Sequence, residues 1–151
     1  MPGELQTMPL SERLRHARST TLPRVLLAEH DPERVRRYGS HFSYCGFRVE
    51  DSATLEETLN KAHTLLPDVI VIDLGAEGAE AVRRLKLDAR TEKIPILALI
   101  SAGPARPAGP AGADPCLADL CDGFLTKPCS PGALHGMVMR TLGASRKAAA
   151  V

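Results

Sequence analysis

The sequence has no excess of charge of either sign, with 19 Lys and Arg against 18 Asp and Glu in 151 residues. That balance argues against a broad electrostatic surface for nucleic acid or anionic lipid. Long apolar runs are also missing. The opening stretch, MPGELQTMPLSERLRHARSTT, holds no apolar core of the kind a secretory signal needs, and no later segment approaches the roughly 18 uninterrupted apolar residues of a membrane span. The expectation is a soluble, cytoplasmic chain. The four cysteines, Cys45, Cys116, Cys121 and Cys129, include no CxxC pair and form no compact run with histidine at zinc-site spacing, so they read as reduced thiols. No Gly-rich phosphate loop follows the first apolar segment and no Ser, His and Asp set is evident, which disfavours an enzyme.

What is present is an alternation. The length suits one domain with a real core and is too short for two. Residues 1–22 are polar and interrupted by Pro2 and Pro9, and are expected to be a flexible arm with one short helix near Ser11 to Arg18. Residues 23–143 form the domain, and 144–151 are expected to be a flexible tail. RVLLA from Arg24 is a short apolar run that fits a strand buried on both faces. Asp31 before Pro32 is a helix start, because the Asp side chain accepts an amide bond while Pro fits the first helical position; that helix runs to about Tyr44, with Gly46 as its left-handed cap. FRVE is a second strand, LEETLNKAHTLL a helix capped by Ser52 or Thr54, and DVIVIDL the most apolar strand. GAEAVRRLKLDA is amphipathic through Ala79, Val82, Leu85 and Leu87, and PILALI is a fourth strand. The loop 103–115 is so rich in Pro and Gly that the helix after it is shortened, covering Pro115 to about Leu120. GFLTK is the fifth strand, and Ser130 with Pro131 opens a last helix to about Leu142.

Five strands alternating with helices predict an α/β fold: a doubly wound, five-stranded parallel sheet in a flavodoxin-like three-layer sandwich, with a shortened or remodelled fourth helix. Such sheets bind ligands beyond the carboxyl ends of their strands. The first strand ends at Glu29, His30 and Asp31, the third at Asp73, the fourth at Ile100 and Ser101, and the fifth at Lys127. A carboxylate at a strand end, with other acids and a lysine converging on it, is suited to nucleophilic attack on phosphorus when a divalent cation offsets the charge.

In this order the segments VLLAEHDP, PDVIVIDL, IPILALIS and GFLTKP resemble the receiver domains of bacterial two-component signalling, across nearly the whole span from Arg24 to about Leu142. The resemblance implies a single-domain response regulator in phosphorelay signalling. Asp73 would accept a phosphoryl group from a histidine kinase or phosphotransfer protein, Lys127 would contact the phosphoryl oxygens, and Phe124 would be the aromatic that reports phosphorylation to a downstream protein target. It further implies Mg2+ held by Glu29, Asp73 and the Gly75 backbone carbonyl. The sequence departs from the family where a second acid is usual, at His30, and where a hydroxyl is usual, at Ile100; Ser101, one residue on, is the secondary hydroxyl candidate. His30 weakens or removes the Mg2+ site, and its simplest role is to partner Asp73 in place of a cation. The alternative reading is a phosphorylation-independent pseudo-receiver acting as a constitutive protein-binding module. Neither reading needs nucleic acid or a membrane, and both leave a homodimer open.

Overall fold

The structure, a computed structural model, describes residues 22–101 and 115–150. The expected arm with its short helix, and the Pro- and Gly-rich stretch up to Asp114, lie outside the described residues. In chain order the elements are β1 (Arg24–Ala28), α1 (Pro32–Tyr44), β2 (Arg48–Ser52), α2 (Leu55–Leu65), β3 (Val69–Asp73), α3 (Ala76–Leu87), β4 (Ile96–Ser101), α4 (Pro115–Leu120), β5 (Gly123–Lys127) and α5 (Pro131–Ala150). All strand pairs are parallel, in the order β2-β1-β3-β4-β5. The chain reverses its winding between β1 and β3, and a crevice opens beyond their carboxyl ends.

Local chemistry sets most of the boundaries. Asp31 caps α1 by accepting from the Glu33 amide at 3.1 Å, and the chain leaves that helix through Gly46 at φ 92°, a conformation that costs glycine nothing. Of the two caps considered for α2, Thr54 is the one used, accepting from the Glu57 amide at 3.1 Å; Ser52 is instead the last residue of β2, buried against Thr58. Ser130 caps α5 through the Ala133 amide at 3.1 Å. α4 is a helix of only six residues, as the punctuation before it predicts.

Alternation along the strands divides the core into two halves. Leu26, Ile70, Ile72, Ile96 and Ala98 face α2, α3 and α4, while Val25, Leu27, Val71, Leu97 and Leu99 face α1 and α5. Each buried Leu or Ile contributes about 1.5–3 kcal/mol from burial alone, so the sheet is held from both sides.

Two expectations need correction. α5 does not stop near Leu142 but runs to Ala150, because the Ala-rich segment after Gly143 has high helix propensity and no breaker interrupts it. Leu87 does not join the buried stripe of α3. It is 87 % exposed at the last turn, and Ala81, Val82 and Leu85 form the packed face instead.

Candidate functional site

Glu29 extends β1 by one rung, its amide donating to the Ser52 carbonyl at 3.0 Å, and this places its side chain under the strand ends with 4 % exposure. Asp73 closes β3 and Lys127 closes β5. Lys127 Nζ stands 2.8 Å from Asp73 Oδ1 and 3.2 Å from Glu29 Oε2, bridging the two carboxylates across the end of the sheet. Two acids this deeply seated would repel one another and lose their hydration without a cation between them; the ammonium answers both costs. Asp73 keeps 16 % side-chain exposure, so one of its oxygens faces the crevice.

His30 lies on that open side, with Nδ1 3.4 Å from Asp73 Oδ2 and 3.7 Å from Glu29 Oε1. Its side chain is 70 % exposed, so it meets the carboxylates from the solvent side. Asp31 does not substitute for a missing acid, since its carboxylate caps α1 and pairs with Arg34 at 3.4 Å. Gly75 is the N-cap of α3, and its carbonyl accepts the helical bond from the Ala79 amide at 2.9 Å. That oxygen is turned into the helix because only Leu74 and Gly75 separate β3 from α3.

At the end of β4 the alternation of the strand separates the two candidates. Ile100 is buried in the core half beneath α2, α3 and α4, whereas Ser101 is exposed and paired in register with Lys127 on the neighbouring strand. Ser101 shares a surface cleft with Lys127, Arg34 and Cys129. Phe124 is half-buried on β5 and packs against the same core half as Ile100.

Two contributors escape a reading by motif. Arg34, on the first turn of α1, brings Nε to 3.5 Å from Glu29 Oε1, a charge contact without hydrogen-bond alignment that balances the oxygen Lys127 does not reach. Its only sequence signal is its place five residues after Glu29. Gly78 sits in the first turn of α3 directly on the Asp73 carbonyl: a Cβ there would fall 2.0 Å from that oxygen, so the helix approaches the strand end this closely only with glycine. The signal was a glycine inside an otherwise amphipathic helix.

A cleft of about 250 Å³ opens beside these groups, bounded by Glu29, His30, Asp73, Thr54, Gly75 and Gly78. Ligand atoms of Glu29, His30 and Asp73 lie within 4.8 Å of one another, close enough to share a cation. Among the described residues no helix is long and apolar enough to cross a membrane.

No protein-family model and no curated protein sequence matches the chain. Solved structures do. The chemotaxis response regulator CheY4 of Vibrio cholerae superposes with a TM-score of 0.71 at 25% identity, over 80% of this chain and 99% of that one. A CheY-like response regulator receiver domain protein from Methanospirillum hungatei gives 0.71 at 21% identity, over 84% of this chain and 98% of its own. The signal receiver domain of a signal transduction histidine kinase from Syntrophus aciditrophicus gives 0.65 at 24%, over 81% and 91%. The parallel five-stranded sheet and its flavodoxin-like strand order are thus those of the solved response regulator receiver domains, and the described residues take that fold.

Proposed function

We propose that this chain is a receiver module of phosphorelay signalling in which Asp73 accepts a phosphoryl group from a histidine kinase or phosphotransfer protein. The observation that carries this reading is the 2.8 Å contact between Lys127 Nζ and Asp73 Oδ1, beside a carboxylate whose second oxygen faces an open cleft. Lys127 orients the carboxylate and supplies positive charge where charge develops on the transferring group. Asp73 Oδ2 attacks phosphorus: the O–P bond forms as the donor's N–P bond breaks, and the released imidazole nitrogen of the donor takes a proton from solvent. His30 must swing aside for this, and its exposure permits it. Lys127 then contacts the phosphoryl oxygens, and a downstream protein target reads the change near Phe124.

Magnesium finds a poor ligand set here. Both Glu29 oxygens are engaged, by Lys127 on one side and by the Asp31 amide and Arg34 on the other. The Gly75 carbonyl is spent on α3, and an imidazole suits softer ions better than magnesium. The charge compensating Asp73 therefore comes from Lys127, joined by His30 when it is protonated.

The same closure of charge favours a second reading, a pseudo-receiver that binds its partner without phosphorylation. Incubation with a small phosphoramidate donor, with the kinase and with or without a magnesium chelator separates the two. Phosphorylation predicts one added phosphoryl mass, abolished in Asp73→Asn and little changed by the chelator. No mass gain from either donor, with partner binding unchanged in Asp73→Asn, establishes the constitutive module instead.

A further inference from the structure

Away from the strand ends, three metal-binding side chains converge where α1 adjoins α5. His41 and Cys45 are four residues apart, so they share one face at the end of α1, where Cys45 is the C-cap residue. His135, in the second turn of α5, reaches the same point from the far end of the sequence. The His41 and His135 ring centroids are 5.5 Å apart, and ligand atoms of all three residues lie within 4.8 Å of one another. Cys45 is exposed and both histidines are half-buried.

We propose that His41, Cys45 and His135 bind a divalent transition metal of the zinc class, with a fourth coordination position open to solvent. Two imidazoles and a thiolate are ligands that zinc and cobalt take and that magnesium and calcium refuse. In a tetrahedral site of this kind ligand atoms stand roughly 3.3–3.8 Å apart, given bonds of about 2.0–2.3 Å. Closing from the present spread requires movements on the order of 1 Å, which rotation of the exposed Cys45 side chain supplies. The Cys45 thiol gives its proton to water as the sulfur–metal bond forms.

Three further observations suit the site to a cation. Among the described residues no hydrogen bond occupies the ring nitrogens of His41 or His135, or the Cys45 sulfur, so none of these donors is already committed. Phe42 and Phe47 each pack edge-on against His135 at 5.9 Å between centroids, forming a dry wall that restrains the ring. The carboxyl end of α1 carries the negative pole of the helix, which favours a positive charge at Cys45. Only the His41 and Cys45 pair is local in the sequence, and the third ligand, His135, comes from a distant helix. Metal binding would pin the end of α1 to α5, and this inference is independent of whether Asp73 is phosphorylated.

Titration of the untagged, fully reduced chain with Co2+ alone tests it. The expected result is one equivalent bound, with thiolate-to-cobalt charge-transfer absorption and tetrahedral d–d bands, both removed by competing Zn2+. Cys45→Ser should lose the charge-transfer band, and His41→Asn or His135→Gln should weaken binding by more than about tenfold. Zn2+ should also slow alkylation of Cys45 in the wild type and in His30→Ala, but not in His135→Gln. Far-ultraviolet circular dichroism of each metal-free variant verifies that it is folded. Absence of the band, its persistence in Cys45→Ser, or cobalt binding that gives no such band and is lost in His30→Ala would overturn the proposal, the last by placing the metal among Glu29, His30 and Asp73.

Discussion

Tyr38 illustrates how a single buried polar group is made to fit an apolar face. Its ring lies in the core half beneath α1 and α5, and its hydroxyl escapes isolation by donating to the Cys129 carbonyl at 3.2 Å, with the Cys129 sulfur 3.4 Å away. Burial foremost, then the contact with Cys129, pushes its pKa from 10.0 up to about 12. The folded protein thus holds the phenolic proton more tightly than the unfolded chain. That advantage is complete below pH 10 and disappears as the pH rises through 12. Urea unfolding should show Tyr38→Phe about 1 kcal/mol less stable than wild type near neutrality, the loss of one hydrogen bond, with the deficit shrinking or reversing as the pH climbs through that window. A deficit that stays constant with pH would mean that the hydroxyl is not held protonated by the fold. Nothing near Tyr38 in sequence announces this contact, since Cys129 follows the last strand.

At the scale of elements, caps are legible and long-range clashes are not. Asp31, Thr54 and Ser130 act on amides two or three residues away, so the start of each helix is written locally. The strand ends are legible for a related reason: alternation of β and α segments fixes which ends of Glu29, Asp73 and Lys127 gather, and the structure gathers them. The role of the Gly75 carbonyl was not readable in this way, because it depends on how soon α3 begins. Gly78 belongs to the same class. Glycine to alanine inside a helix ordinarily stabilises by about 0.5–1 kcal/mol, but here the added methyl would meet the Asp73 carbonyl at 2.0 Å. Gly78→Ala should reverse the usual sign and cost roughly 2 kcal/mol or more in denaturant unfolding, as overpacking does. A neutral or stabilised variant would show that α3 can withdraw from the strand end without penalty.

For the molecule as a whole, stability rests on two core halves that share one sheet. Phe42 is fully buried, stacks edge-on against Phe47 at 5.1 Å between centroids, and fills the space between α1 and the strands. Phe42→Ala should lower the unfolding free energy by about 3–5 kcal/mol while the transition stays single and cooperative, as seen by coincident fluorescence and circular dichroism curves. Separate transitions would instead mean that the two halves unfold independently. The two-residue link from β3 to α3, with a helix backbone seated on the carbonyl of Asp73, has a mechanical consequence at this scale. It leaves no slack between the sheet and the helix above it. A shift of the strand end therefore has to be taken up by α3 itself or by the two residues of the link.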